Sequence, residues 1–345
     1  MGLLTRQEIF MAIILVTGGH GFVGSHLVSQ LLSRGNQVRI LDLSPEVPSE
    51  LAQCAKDGQL EIRLGDIRDE KAVSMALRGI DSVFHLAANP RLWTRRRGDF
   101  FSINQLGAKK VLETACRSGC RRVVHCSTES ILTRRDQVGA IRPNQVVPRR
   151  EVVGPYCRSK HAAEVMALGM GRRGWPIVVV NPTLPVGPGD RGLTPPGKLI
   201  RDFCRGKRRE FIHAELNLVD VRDVARGMIL AMEKGIPGRR YLLGGENMTV
   251  RELFGRLSGL TGLPGPRWQV PYPVALLAGW VGELAADLFT GREPEPSITG
   301  VTLAGRRMVF DPRESLEELG LVPGPVNKAL LDAINWFRSA GMLEA

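Results

Sequence analysis

The stretch LVTGGHGFVGSHLVSQLLSRGNQVRILD, residues 15–42, joins an apolar run to four closely spaced glycines (Gly18, Gly19, Gly21 and Gly24). A helical pattern follows, then a second apolar run closed by Asp42. Glycine loses more backbone entropy on ordering than any other residue, so such a cluster marks a turn too tight, or an approach too close, for side chains. Gly18, Gly21 and Gly24 have GxxGxxG spacing, and Phe22 and Val23 open the helix that follows. A strand, a glycine turn and a helix N-terminus with free N–H groups together make a cradle for a pyrophosphate. Asp42, ending the next strand, is placed to accept both ribose hydroxyls of an adenosine and to repel a 2′-phosphate. That favours NAD over NADP. The alternative is an ordinary strand–turn–helix with a capping aspartate.

Working outward, strand-like and helical patterns alternate. Residues 12–17 precede a helix from Phe22 to about Arg34, and 37–42 precede one near 45–57. Residues 60–66 precede a short helix at 69–78, and 81–88 one near 99–118. Residues 121–128 and 175–182 flank a helix at about 156–173. Short continuous apolar runs suit strands buried on both faces. The alternation predicts an α/β, Rossmann-type doubly wound parallel sheet. After Pro182 the chain turns rich in Pro and Gly, and a smaller C-terminal substrate lobe is expected. The expected division is an N-terminal extension at 1–11, a dinucleotide-binding domain at 12–182, and a mainly substrate-binding lobe at 183–345 with segments returning to the first domain. The most apolar stretch, 270–289, is interrupted by Glu283 and Asp287 and reads as a buried or amphipathic helix rather than a span. A lipid-facing lid is the minority reading.

Composition bounds the rest. The 345 residues are 43% hydrophobic and 24% charged, which suits a globular protein with ample core. Six scattered cysteines, with no CxxC pair, and six histidines with no HExxH offer neither a disulfide framework nor a metal site. Reduced thiols and the lack of a secretory signal point to the cytoplasm. The net charge of +12 comes from dispersed arginine clusters, Arg95–Arg97 among them. Without a nucleic-acid module these read as a solvated surface rather than a nucleic-acid footprint, and attraction to anionic lipid stays open.

The sequence YCRSK sets Tyr156 and Lys160 four apart, on one helix face. A phenol has an ordinary pKa of ~10 and must move toward the working pH to act as acid or base. A fixed ammonium nearby is expected to lower it. HCSTES, at the end of the fifth strand, offers Thr128 beside a substrate oxygen, with Ser127 as the near alternative. Asn104 is expected to hold a water that relays protons to Lys160.

With TGGxGxxG, Asp42, GDIRD (65–69), HLAA (85–88), Asn104, Thr128 and Tyr156/Lys160 in this order, the chain resembles an extended short-chain dehydrogenase/reductase from about residue 12 onward. The resemblance implies that Asp66 and Ile67 lie near the adenine. It further implies that Leu86, Ala87, Ala88 and Pro182 line the cofactor path, and that two copies pair through the helices near 99–118 and 156–173. Within that family RLW (91–93), NPTLPVGPGD (181–190), LNLVDVRDVARG (216–227), RRYLLGGEN (239–247) and WFRSAGML (336–343) resemble the hopanoid-associated sugar epimerase group. That group is itself similar to dihydroflavonol reductases and 3β-hydroxysteroid dehydrogenases. Leu216 stands where nucleotide-sugar epimerases carry the arginine that meets the diphosphate, and Asp220 stands where a histidine is usual. Arg191 or Arg222 could substitute for the missing arginine.

The expected function is NAD-dependent interconversion of a secondary alcohol and a ketone, on a small molecule such as an isoprenoid-lipid or sterol-like alcohol. The alternative is a sugar epimerase or dehydratase (an isomerase-type cycle) with internally recycled NAD. A non-catalytic NAD sensor is third.

Overall fold

The computed structural model describes residues 13–48, 51–207 and 210–344. The expected extension at 1–11 lies outside the described residues. Strands β1 (Ile13–Thr17), β2 (Gln37–Asp42), β3 (Leu60–Leu64), β4 (Ser82–His85), β5 (Arg122–Cys126) and β6 (Ile177–Pro182) come first. Three strands outside their layer follow, β7 (Leu184–Val186), β8 (Glu210–Ile212) and β9 (Glu215–Asp220), before β10 (Arg240–Leu243) returns to it. The central sheet has seven strands in the order β10-β6-β5-β4-β1-β2-β3, and every pairing is parallel. The order reverses between β1 and β4, which opens a crevice at their carboxyl ends where such sheets bind ligands.

The apolar runs are continuous because both sheet faces are covered. Ile14 and Val16 of β1 join one core cluster, whereas Leu15 between them joins the cluster on the opposite face. Val123 and Val124 of β5 divide likewise, as do Ile177, Val179 and Val178, Val180 of β6. Each such fully buried aliphatic side chain contributes about 1.5–3 kcal/mol relative to exposure. One face is covered by α1 (Phe22–Ser33), whose Leu27, Val28 and Leu31 are buried. The other takes α3 (Glu70–Ala76), α4 (Ala108–Arg117) and α5 (Gly154–Arg172).

The helix expected near 45–57 is shorter. Only α2 (Ala52–Lys56) forms, because Pro45 and Pro48 cannot supply backbone donors to a continuing helix. The helix expected near 99–118 is present, but its first half, Phe100–Gly107, is π-helical before α4 begins.

The later helices are α6 (Pro195–Cys204), α7 (Val221–Lys234), α8 (Val250–Thr261), α9 (Tyr272–Ala285), α10 (Ile298–Ala304), α11 (Arg313–Leu319) and α12 (Val326–Ser339), with strands β11 (Glu246–Thr249) and β12 (Trp268–Val270). Helix α7 packs into the first core through Val224, Ala225 and Met228. A separate core gathers Val186, Phe203, Leu218, Phe254, Ile334 and Phe337 from β7, α6, β9, α8 and α12. Helix α9 departs from the buried-helix reading of 270–289. Of its residues only Ala275 and Gly279 are buried, while Leu277, Trp280, Val281 and Leu284 are exposed.

Candidate active site

The glycine turn is shaped first by the chain itself. Gly18 has φ +73°, and a Cβ there would lie 2.8 Å from the backbone N of Ala87, so the loop presses directly on the segment leaving β4. A Cβ on Gly24 would lie 2.2 Å from the carbonyl oxygen of Gly18, so the first turn of α1 can close on the loop only with glycine. Gly19 faces the Ile40 side chain. Gly21 is different. Its Cβ position meets only the Gly18 carbonyl, at 3.3 Å, and the rest of its surroundings are open. It caps α1 in extended conformation, beside Phe22 and Val23 at the helix start.

Asp42 stands across from this loop. Its Oδ2 accepts a hydrogen bond from the His20 N–H at 3.1 Å and its Oδ1 one from the Leu43 N–H at 2.8 Å. Oδ1 also accepts from the Ser44 N–H at 3.4 Å, and Oδ2 keeps a lone pair. His20, Gly21, Asp42, Ser44 and Arg191 line a cavity of about 460 Å³. Both ring nitrogens of His20 and the hydroxyl of Ser127 are buried without a hydrogen-bonding partner among the described residues. An open glycine cradle, an acid on its rim and unpaired buried polar atoms fit a dinucleotide.

The other segments assigned to the cofactor are arranged by side-chain ties. Thr17 Oγ1 pairs with His85 Nδ1 at 2.7 Å and accepts from the Ala87 N–H at 3.2 Å, which fixes Leu86, Ala87 and Ala88 beside the glycine turn. Asp66 is gripped by Arg68 through both carboxylate oxygens, and that hydrogen bonding holds its pKa below the usual carboxylate value. Ile67 is buried against Gly107. Pro182 ends β6, paired in register with Leu243.

Tyr156 and Lys160 lie a turn apart on α5. Thr128, just past β5, donates from Oγ1 to Glu129 Oε2 at 2.9 Å and lies 3.1 Å from the Ser130 hydroxyl. Lys160 is buried and donates from Nζ to the Cys126 carbonyl at 2.7 Å. Burial lowers its pKa, while Cys126 and Glu164 oppose that shift. The expectation that Lys160 lowers the Tyr156 pKa is corrected. Burial raises the phenol, Cys157 and Glu129 raise it further, and only the Thr128 hydrogen bond works the other way. The lysine is tied to the β5 backbone.

The Asn104 side chain is engaged by protein groups. Its Oδ1 accepts from the Asn89 N–H at 2.7 Å, and its Nδ2 donates to the Asn89 carbonyl at 3.1 Å and to Ser159 Oγ at 3.0 Å. Asn104 therefore clamps the loop after β4 to α5, and the wide turns of the π-helical segment carry it inward to do so. Arg222 is not free to substitute for the missing arginine, since it is forked onto Asp220 and paired with Asp332. Arg191 lies at the Asp42 cavity and over the Trp336 ring at 5.8 Å.

Two acids escaped the sequence reading. Glu129 is buried beside Thr128, and burial pushes its carboxyl up to about 7, opposed by the Thr128 hydrogen bond. Its signal was its place immediately after the strand-end hydroxyls. Glu164 is buried on α5, accepts from Asn181 Nδ2 at 2.7 Å and is ion-paired with Arg240, while the same Nδ2 donates to the Thr128 carbonyl at 2.8 Å. Its signal was periodic: Tyr156, Lys160 and Glu164 recur at four-residue spacing on one face. His85 and His125 stack at 5.3 Å beneath the site. Burial, then the charge of Lys160, brings His85 down to about 3, and the same causes push His125 well below its ordinary value, so both are neutral near pH 7.

The model of the NAD dependent epimerase/dehydratase family matches residues 14–244. A putative dihydroflavonol 4-reductase from Synechocystis sp. is 35% identical over 334 residues, covering 95% of each chain. Sterol demethylase protein B from Methylococcus capsulatus is 34% identical over 334 residues, covering 95% of this chain and 99% of that one. The solved structure of MoeE5 in complex with UDP-glucuronic acid and NAD is 25% identical, has a TM-score of 0.75, and covers 95% of this chain and 100% of that chain.

Proposed function

This chain belongs to the NAD-dependent epimerase/dehydratase family, of the extended short-chain dehydrogenase/reductase type, and from that premise we propose that it interconverts a secondary alcohol and its ketone on an apolar, sterol-like or isoprenoid-lipid substrate. The cofactor is NAD. The observation that carries the substrate class is the segment around β9. Leu216 packs there against an apolar cluster, and Arg222, one of the two arginines that could take the missing one's place, is held by Asp220 and Asp332. A nucleotide-linked sugar would leave its diphosphate without that partner. The similarity to a protein named for sterol demethylation supports the same reading.

Residues 12–182 hold the dinucleotide in this proposal, and residues 183–345 mainly shape the substrate site. Gly18, Gly19, Gly21, Phe22, Val23 and Gly24 form the pyrophosphate turn, and Asp42 takes the adenosine ribose. Asp66 and Ile67 flank the adenine, while Leu86, Ala87, Ala88 and Pro182 line the path to the nicotinamide end. Bound NAD supplies the hydride acceptor or donor. Tyr156 takes or returns the hydroxyl proton, Thr128 orients the substrate oxygen, Lys160 carries positive charge at the base of the site, and Asn104 positions α5.

The test is a purified-protein assay with NAD or NADH against sterol and isoprenoid alcohols or ketones, and against UDP-glucose. NAD-linked turnover of the apolar substrates alone is expected, and turnover of UDP-glucose alone would overturn the substrate class. One observation favours a second reading. A dehydratase, or an epimerase that inverts the carbon next to its transient ketone, needs a base beside that carbon, and Glu129 is a buried carboxyl with high proton affinity next to Thr128. Near-stoichiometric NAD released on denaturation, with solvent deuterium entering that carbon, would select it. Pairing of two copies through 99–118 and 156–173 belongs to the proposal as well. Phe101, Leu106 and Val165 are exposed there, and sedimentation velocity would detect the dimer.

A further inference from the structure

Helix α9 packs inside out. Its small residues, Ala275 and Gly279, face the protein, and a Cβ on Gly279 would come within 3.3 Å of the Ile298 backbone. Its large residues face solvent. Val274, Leu277, Trp280, Val281 and Leu284, continued by Leu288 and Phe289 in the turn Ala286–Thr290, are each more than half exposed. Their spacing of three and four residues puts them on one stripe. Contiguous apolar surface of this extent marks an interaction site on a soluble protein.

The rim of the stripe is basic. Arg95 lies beside Gly291, where the apolar segment ends, and Arg91, Arg96 and Arg292 are exposed on the adjoining segments. The local acids are engaged. Asp287 and Glu283 are paired with Arg97, at 3.1 and 3.6 Å, Glu293 accepts from the Leu92 N–H, and Glu295 is paired with Lys198. Among the described residues none of Arg91, Arg95, Arg96 and Arg292 makes an ion pair.

We propose that this face docks on an anionic lipid bilayer, with the α9 stripe entering the headgroup boundary and the four arginines meeting lipid phosphates. Apolar residues that include a tryptophan, beside a cationic rim, are the chemistry of an interfacial helix. A second copy fits less well, because a self-complementary contact would set each arginine cluster against its own counterpart. The helix reaches the active site in two steps. Glu283 accepts from the Ile298 N–H at 2.9 Å at the start of α10, and Thr299 of α10 packs on Gly154, which opens α5. The docking stands whichever reaction the site performs.

The experiment is vesicle flotation of the full chain at low salt, on phosphatidylcholine alone and on equal parts phosphatidylcholine and phosphatidylglycerol. The expected result is binding to the anionic vesicles, at least about tenfold stronger than to phosphatidylcholine and weakened by salt. Arg95→Glu/Arg96→Glu should weaken it by more than about fivefold per arginine removed, and Leu277→Asp/Val281→Asp should abolish it, with NAD binding retained in each as the fold control. Wild-type protein that stays in solution on anionic vesicles overturns the proposal. So does a Leu277→Asp/Val281→Asp variant that floats like wild type. So does a lipid-free dimer that this variant converts to a monomer without any vesicle binding having been seen.

Discussion

Helix α5 turns Ser159, Lys160 and Glu164 into the protein and leaves Val165 in solvent, whereas α9 buries Ala275 and Gly279 and leaves Leu277, Trp280 and Val281 outside. Neither follows the rule that apolar residues go in and charges stay out. In α5 every inward polar group has a partner: Ser159 meets Asn104, Lys160 the Cys126 carbonyl, and Glu164 both Arg240 and Asn181. Burial without such partners would cost far more than packing returns. In α9 the inward face is small because α10 comes too close for anything larger. What a helix buries is set by what it faces, and in the readings proposed above α5 meets a reacting substrate and α9 another phase.

The comparison can be broken from either side. The largest effect is expected for Tyr156→Phe, which removes the proton donor from the inward face of α5. Turnover should fall on the order of 10²–10⁴-fold with NAD binding, read by titration calorimetry, unchanged. Full activity in this variant would mean that the phenol is not the proton donor. Glu164→Gln comes next. It leaves Arg240 buried without its countercharge and should destabilise the fold by about 3–5 kcal/mol in urea unfolding. A loss below about 1 kcal/mol would show that the charge pair is not what holds α5 inward.

Glu129→Gln sharpens the comparison through pH. The folded carboxyl is raised by burial to about 7 from 4.5, so the folded state binds the proton more tightly than the unfolded chain. Its contribution to stability is complete below about pH 4.5 and is lost as pH rises through 7, by up to about 3 kcal/mol. Stability measured by denaturant unfolding across that window should decline for wild type and decline less for the variant. Equal slopes would rule out a buried, protonated Glu129. The smallest effect is expected on α9. Val281→Asp should change folding stability by no more than about 0.5 kcal/mol in the same unfolding assay, because the side chain it replaces is more than half exposed. A loss of several kcal/mol would show the stripe to be part of the core.

The unit from β1 through α1 to β2 was legible because its constraints are local. A strand, a turn that admits only glycine at Gly18 and Gly24, and a helix start are specified within a few positions. Tyr156, Lys160 and Thr128 were legible for the same reason, as residue types at fixed spacing. Asp42 was found, but not that His20 and Leu43 already hold it. The effect of Lys160 on Tyr156, the groups that hold the Asn104 side chain, and the engagement of Arg222 were not legible. Each depended on where a long side chain would find its nearest partner, and those partners (Cys126, Asn89, Asp332) come from other elements. The overlong helix at 45–57 was a local error, since Pro45 and Pro48 were there to be read.

The sequence alone determined the parallel α/β sheet and the glycine turn, because hydrophobic period and glycine at positive φ act over short stretches of chain. Tertiary structure alone decided which polar groups touch, which acids are buried, and which face of 270–289 meets water. Contact, burial and the proton affinities that follow from them belong to pairs of residues far apart in sequence, and are fixed only when the elements pack.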